Sequence, residues 1–191
     1  MGLLFNKVIM GDFYRYEGER SRLLKVRLRY LFFVPGFTYT FFFRHASMSN
    51  NCFFRYIWLF FFYVTRIITH IQIPVRTVIG SGLWILHFGH IVINPDAVIG
   101  KNFCISPGCL IGDDRGKRAV TPIIGDNVYM GANSIVVGNA RIGNDVLIAP
   151  GAFVNFDVPG NSIVLGNPGR IIPRNESPTQ KHIIYPVRND N

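Results

Sequence analysis

The sequence predicts a mainly β protein, a left-handed parallel β-helix with an N-terminal α-helical cap and a C-terminal tail. Three observations support this fold class: a six-residue repeat of branched aliphatic side chains, turn-forming Gly, Asn and Asp residues beside them, and a front segment of different composition. The chain has 191 residues, of which 49% are hydrophobic and 16% charged. That balance suits one compact domain with an appendage and excludes a disordered chain.

The repeat runs from Ile73 to Val154, with one shift of two residues and one insertion. A period of six matches neither the 3.6 residues of a helical turn nor the two-residue alternation of a strand. It indicates short strands joined by tight turns, three to a coil, with the repeated residue pointing inward. Prisms built from such hexapeptides wind left-handed, against the usual crossover preference. The repeated positions are Ile73, Ile79, Ile85, Ile91, Ile93, Ile99, Ile105, Ile111, Ile124, Met130, Val136, Ile142, Ile148 and Val154.

An insertion interrupts the repeat between Ile111 and Ile124. These two positions are 13 residues apart, where 12 would keep the register. Residues 113–122 (DDRGKRAVTP) are therefore predicted to leave the prism as a loop. Loops that project from a rigid solenoid tend to carry function.

The front of the chain is basic and aromatic. Residues 1–76 contain 11 Lys and Arg against 3 Asp and Glu, together with 20 of the 27 aromatic residues. The predicted organisation is a helical cap over residues 1–72, a β-helix over 73–174 and a polar, partly disordered tail over 175–191.

Helical spacing is visible within that cap. Leu24, Leu28 and Leu31 recur at intervals of four and three and give one amphipathic face, which Pro35-Gly36 ends. Further helices are predicted over residues 38–47 and 51–70. Together the helices can cover the open first coil of the prism.

Cysteine and histidine spacing give no sign of disulfides or of a metal site. The 3 Cys are irregularly spaced, so a reducing cytoplasm is expected. A β-helical zinc enzyme needs three His at ligand geometry, and the prism contains only His87 and His90. The apolar run 56–64 is too short to cross a hydrocarbon core of about 30 Å.

Four segments carry a resemblance to a known family. They are 79–87 (IGSGLWILH), 91–94 (IVIN), 122–132 (PIIGDNVYMGA) and 166–170 (GNPGR). In this combination the chain resembles the hexapeptide-repeat acetyltransferases, in the serine acetyltransferase-like branch that includes capsule and exopolysaccharide O-acetyltransferases. The resemblance implies acetyl transfer from acetyl-CoA to a hydroxyl, by a homotrimer with active sites between neighbouring prisms. Residues 12–16 (DFYRY) also look like the opening of short polysaccharide-modifying members.

The resemblance assigns the general base. An alcohol is a poor nucleophile at neutral pH, so a base must take its proton as it attacks the thioester. His87 faces outward and matches the catalytic His of the family. A group that orients the imidazole is also needed. Asp12, entering from the helical cap, is the expected partner, with Asp113 and Asp114 as alternatives.

The resemblance also assigns the acetyl-CoA site. In the family, the pantetheine arm lies along the groove between prisms and bonds to backbone amides of outward turns. The matching positions are Gly131, Ala132, Ala149 and Gly151, where small residues allow close backbone approach. Arg170 and Arg174 match the basic residues near the CoA phosphates, since a guanidinium fits phosphate well.

The chain departs from the serine acetyltransferases at the expected acceptor site. The charged residues that would hold serine in those enzymes correspond here to Gln72, Leu86 and Val120-Thr121, which are all uncharged. A neutral sugar hydroxyl of a surface polysaccharide or its precursor therefore fits better than serine. Four further residues are expected to contact that acceptor: His90, Tyr14, Arg15 and Gln72.

The predicted function is therefore a cytoplasmic, acetyl-CoA-dependent sugar O-acetyltransferase without a metal. The alternatives are a serine O-acetyltransferase, an N-acetyltransferase acting on an amino sugar, a transferase with a longer acyl donor and a non-catalytic scaffold. Nucleic-acid binding is not expected, because no motif that reads RNA or DNA is present. For the apolar, cationic helices two interpretations stay open: packing within the oligomer, or contact with the inner face of a membrane that bears the acceptor.

Overall fold

The computed structural model describes residues 6–114 and 120–188. Within these ranges the chain forms helices α1 to α4 and a short 3-10 helix, Gly18–Arg22, followed by strands β1 to β15. The helices are α1 Lys7–Glu17, α2 Leu24–Phe33, α3 Pro35–Met48 and α4 Cys52–Thr69. The strands are β1 Ile71–Gln72, β2 Val78–Ile79, β3 Trp84–Ile85, β4 Ile91–Ile93, β5 Val98–Ile99, β6 Cys104–Ile105, β7 Leu110–Gly112, β8 Ile123–Ile124, β9 Tyr129–Met130, β10 Ile135–Val137, β11 Arg141–Ile142, β12 Leu147–Ile148, β13 Phe153–Val154, β14 Ser162–Leu165 and β15 Arg170–Pro173.

The strands form a three-sided parallel β-helix. Successive strands rotate through sheet A (β1-β4-β7-β10-β13), sheet B (β2-β5-β8-β11) and sheet C (β3-β6-β9-β12-β14). Pairing is parallel throughout, except that β15 returns antiparallel to β14. This architecture agrees with the prediction of a mainly β protein with a helical N-terminal region, and it is consistent with a left-handed β-helix.

The repeated aliphatic residues fill the interior of the prism. Each of them is at most 7% exposed. The residues four positions later, such as Leu83, Phe103 and Val146, are buried beside them. Since burying one Ile or Val side chain contributes roughly 1.5–3 kcal/mol, this column is the main source of stability in the fold.

Strand pairing locates the two irregularities of the repeat. In a regular coil, paired residues such as Ile124 and Ile142 are 18 positions apart. Ile85 pairs with Ile105, 20 positions on, so the turn after β3 contains two extra residues. Ile99 pairs with Ile124, 25 positions on.

The second irregularity corrects the sequence prediction. The turn from β7 to β8 contains seven residues more than a regular turn, rather than the single extra residue predicted. Gly112 ends β7 and Ile123 begins β8, so the step of 13 positions from Ile111 to Ile124 is a single connection between two strands. The predicted loop 113–122 is this turn, although residues 115–119 lie outside the described ranges.

The helices cover the first coil, as predicted, and their side chains bond to its open strand edges. The Tyr39 hydroxyl donates to the Ile73 carbonyl and accepts from the Ile73 N–H, both at 3.0 Å. Tyr16 makes the same pair of bonds with Ile85, at 3.1 and 3.2 Å. Burial raises the pKa of both phenols, so both remain protonated. These bonds replace the ladder partners that a preceding coil would supply.

Two helical features differ from the prediction. Helix α1 was not predicted, and Pro35 begins α3 at its first turn, where a proline has no hydrogen bond to lose. In α2 the buried residue is Val26, whereas Leu24 and Leu28 of the predicted apolar face are exposed.

The described part of the tail packs on the prism. Val187 exchanges two hydrogen bonds with the Asn102 side chain, at 2.7 and 3.2 Å. The His182 ring stacks on Tyr129 with centroids 4.3 Å apart, and Thr179 is buried. Disorder over residues 175–188 was therefore the wrong expectation.

Candidate active site

One corner of the prism contains half of the predicted site residues. We call it the C–A corner: the stacked turns 86–90, 106–109, 131–134 and 149–152, which lead from sheet C to sheet A. His87 lies in the first of these turns, and Ala132 and Gly151 lie in the third and fourth. At about 4.8 Å per coil, the three steps from the first turn to the fourth span about 14 Å.

His87 is exposed on the longest of these turns. The two extra residues let this turn project from the prism. It is fixed at its far end, where Gly89 (φ 143°) donates its N–H to the Thr69 carbonyl at 3.1 Å. The His90 ring stacks on His70, with centroids 5.4 Å apart. His87 and His90 are therefore both outward, as the sequence predicted.

The predicted CoA positions line the same corner, but most of their N–H groups are already used. Gly131, Ala149 and Gly151 donate to the carbonyls of the neighbouring coil at 2.8–2.9 Å. A Cβ on Gly131 would lie 2.7 Å from Pro150, so packing requires glycine there. Gly151 (φ 71°) has open space around it. These three N–H groups therefore cannot bond a pantetheine arm without giving up the ladder, contrary to the prediction.

Arg170 and Arg174 lie at the last coil. Arg170 begins β15 and Arg174 follows it, and both side chains are exposed. Arg170 pairs with Leu165, at the end of sheet C that leads to the C–A corner, whereas the Arg174 N–H donates to the Asn161 carbonyl at the opposite end of β14. Arg170 therefore lies beyond the last turn of the C–A corner, with His87 in the first turn, and Arg174 does not.

Asp12 does not orient His87. Its carboxylate is fully buried and accepts from Arg44 Nε at 2.7 Å and Arg44 Nη2 at 3.1 Å. It also accepts from the N–H groups of Gly82 and Leu83, both at 2.8 Å. Burial raises the pKa of the Asp12 carboxyl, and Arg44 opposes that rise. This corrects the prediction: Asp12 joins the helical cap to the first coil.

Arg15 is also structural. Its side chain is 1% exposed, donates from Nε to the Gly82 carbonyl at 3.2 Å and lies over the Trp84 ring, 5.4 Å from its centroid. It therefore cannot contact an acceptor, contrary to the prediction. Tyr14 is half-buried and meets the Tyr185 ring edge-on at 6.0 Å.

A second feature lies on the opposite edge of sheet A, at the turns leading to sheet B. A cavity of about 370 Å³ lies there, and its lining combines four polar side chains with apolar residues of β4 and β7. The polar side chains are Arg66, Gln72, Asn94 and Asp113. Asn94 donates to the Asp113 carboxylate at 3.0 Å. The sequence predicts roles for Gln72 and Asp113 but none for Arg66.

His87 and this cavity are separated within one chain. His90 directly precedes β4 and Asn94 directly follows it. Three strand residues at about 3.3 Å each place these two edges about 10 Å apart. The base and the cavity therefore face different sides of one prism.

The thiols of the prism are buried. Cys104 lies on the outer face of sheet C and Cys109 bonds to the Gly131 carbonyl at 3.1 Å. Burial raises the pKa of both thiols, which disfavours a thiolate nucleophile. Over residues 6–114 and 120–188, no three His, Cys, Asp or Glu side chains gather as a metal site would require.

Comparison with known proteins agrees with this fold. Residues 121–155 match the family model "Bacterial transferase hexapeptide (six repeats)". The serine acetyltransferase of Synechococcus elongatus is 32% identical over 171 residues, covering 88% of this chain and 69% of that protein. The Staphylococcus aureus serine acetyltransferase is 38% identical over 112 residues, and the match spans about half of each protein.

Solved structures give the same result. The Neisseria gonorrhoeae serine acetyltransferase superposes with a TM-score of 0.73 at 26% identity, covering 92% of this chain and 68% of that one. For the soybean apoenzyme the TM-score is 0.72 at 26% identity, with 86% and 67% covered.

The chain therefore belongs to the hexapeptide-repeat acetyltransferases, enzymes that use acetyl-CoA as their acetyl donor. The relatives named above are all serine acetyltransferases. None of these names supports the predicted capsule branch.

Proposed function

We propose that this protein transfers the acetyl group of acetyl-CoA to the hydroxyl of serine or a closely similar amino acid. The observation that carries this proposal is the 32% identity to a serine acetyltransferase over 88% of the chain. Serine therefore replaces a sugar as the acceptor that we favour.

In the proposed reaction, His87 takes the hydroxyl proton as the oxygen attacks the thioester carbonyl. The tetrahedral intermediate collapses with cleavage of the C–S bond, and the imidazolium returns the proton to the departing CoA thiolate. Transfer is direct, since an imidazole can both accept and donate a proton near neutral pH. Donors aimed at the thioester oxygen would stabilise the intermediate.

The cavity beside sheet A supports an amino-acid acceptor. Its lining includes a guanidinium, Arg66, and a carboxylate, Asp113, with the amides of Gln72 and Asn94 beside them. A guanidinium pairs well with a carboxylate, and a carboxylate with an ammonium group. These charges offset the loss of the charged residues of the serine enzyme at Gln72 and Leu86.

The separation of His87 from this cavity supports a site shared between subunits. In a homotrimer, the C–A corner of one prism would face the cavity of the next. Acetyl-CoA would then lie between the two prisms, with Arg170 near its phosphates. We place the enzyme in the cytoplasm, where its thiols stay reduced.

A sugar hydroxyl is the second candidate. The uncharged Leu86 and Val120-Thr121, which replace charged residues of the serine enzyme, favour it. The same substitutions would suit a polysaccharide precursor.

Release of CoA thiol from acetyl-CoA distinguishes these candidates. We expect saturable turnover with serine and none above background with simple sugars, amino sugars or a lipid-linked oligosaccharide. His87→Ala should lower kcat at least 100-fold, because general-base catalysis contributes about 10²–10⁴-fold. His182→Ala, a matched exposed histidine in the tail, should leave kcat unchanged. Turnover with a sugar alone would transfer the proposal to the second candidate.

A further inference from the structure

The outward face of α4 is largely apolar, and Arg55 is its one exposed charge. Ten of its side chains are 36–74% exposed, although they are all aromatic or aliphatic. Soluble monomers rarely expose a continuous apolar patch of this kind without an interaction that uses it. The side chains are Phe53, Phe54, Tyr56, Ile57, Phe60, Phe61, Tyr63, Val64, Ile67 and Ile68.

The opposite face of α4 holds the helix against the protein. Phe62 packs on Tyr39 with ring centroids 5.5 Å apart, and Trp58 stacks on His45 at 4.3 Å. Within the described ranges, α4 is the one helix long and apolar enough to cross a bilayer by length and composition. Because one side is packed and β1 starts two residues after it ends, α4 can only lie along a surface.

Helix α2 extends this surface with positive charge. Leu24, Leu28 and Phe32 form one exposed stripe, and the exposed Lys25 and Arg29 lie in a second stripe beside it. This is the composition of an interfacial helix, in which apolar side chains enter the headgroup region and cations meet its phosphates.

Helices α2 and α4 both pack on α3. Phe42 of α3 stacks on Phe61 of α4 with centroids 5.3 Å apart. It also packs against the cluster that contains Val26 of α2. Helix α3 therefore joins the apolar helix α4 to the cationic helix α2.

The charges of α2 and α4 indicate what binds their outward faces. No Asp or Glu occurs between Glu19 and Asp96, and the exposed charges of α2 and α4 are the cations Lys25, Arg29 and Arg55. A second copy of the chain meeting this face through the same helices would set these cations against one another. An anionic lipid surface complements both features, since each Lys or Arg near such a surface contributes about 1 kcal/mol.

We propose that the outward faces of α2 and α4 dock this enzyme on an anionic membrane surface, with α4 lying in the plane of the headgroups. The docking does not depend on which acceptor the active site uses. It adds a surface that the acetyl-transfer reaction itself does not need.

Flotation of the full chain with vesicles tests the proposal. Phosphatidylcholine vesicles with 30% phosphatidylglycerol (about one lipid in three, a strongly anionic surface) should carry the protein to the top of a gradient. Pure phosphatidylcholine should carry at least tenfold less. The triple variant F53Q/F60Q/I67Q should lose more than tenfold, and K25Q/R29Q about 30-fold, because two cations are removed.

The matched control is Ile184→Gln, an equally exposed apolar residue of the tail, which should float like the wild type. Circular dichroism of each variant reports whether it has folded. The proposal is overturned if the wild type stays at the bottom with anionic vesicles. It is also overturned if sedimentation shows an assembly that the triple variant disrupts while vesicle binding is unaffected, because a second copy then covers the face.

Discussion

At the scale of single residues, burial decides whether a charged side chain stabilises the fold or is available to bind a substrate. Asp12 and Arg15 are polar and lie in a motif that resembles a family signature, yet both are buried and bond to the first coil. Arg66 sits in an otherwise apolar helix and lines a polar cavity. Sequence spacing could not separate these cases, since the partner of Asp12 is Arg44, 32 residues further along.

Arg66 provides a test of the acceptor site. Arg66→Ala should raise KM for serine at least tenfold with little change in kcat, because it removes a contact to the carboxylate and leaves the base intact. Arg55→Ala removes the other arginine of α4, away from the cavity, and should change neither constant. Initial rates over a range of serine concentrations give both values, and an unchanged KM in Arg66→Ala would remove this residue from the acceptor site.

At the scale of elements, the strands were predictable and the turns only partly so. Every position of the six-residue series is buried as predicted, because the period alone determines which side of the strand faces inward. The number of turns between Ile111 and Ile124 could not be decided in this way. Two hexads plus one residue and one hexad plus seven residues fit the same sequence. The strand pairing distinguishes them, since Ile99 pairs with Ile124 and Ile111 with Val136, each 25 positions on.

The long turn that carries His87 can be tested as an element. Deleting Phe88 and Gly89 restores the 18-residue spacing of a regular coil. We expect the β-helix to fold and to bind CoA as before, while turnover falls more than 100-fold because the imidazole is displaced by more than 1 Å. Phe88→Ala, which keeps the turn length, is the control. Turnover at the wild-type rate in the deletion variant would show that the extra residues do not position His87.

At the scale of the whole molecule, the base and the cavity occupy opposite edges of sheet A, about 10 Å apart. The proposed reaction needs both, which is why we propose that two neighbouring prisms share one site. The exposed side chains of Val78, Val98 and Ile123 on sheet B form a further apolar column that a neighbouring prism would cover.

Mixed oligomers test this arrangement. His87→Ala and Arg66→Ala subunits, refolded together in equal amounts, should recover about a quarter of wild-type activity at low serine concentration, since random assembly pairs an intact base with an intact cavity in about one site of four. Each variant alone, refolded in the same way, is the control. No recovery in the mixture would mean that one chain supplies both groups.

The helical cap has a consequence for association between molecules. A bare solenoid presents unpaired strand edges at each end, and another solenoid can add to them without limit. Here Tyr16 and Tyr39 occupy the strand edges of the first coil, and β15 turns back antiparallel over β14 at the last. The capped edges of the first coil and the sheet C edge of the last coil therefore offer no continuing parallel ladder, and addition of another prism along the axis is blocked at these edges.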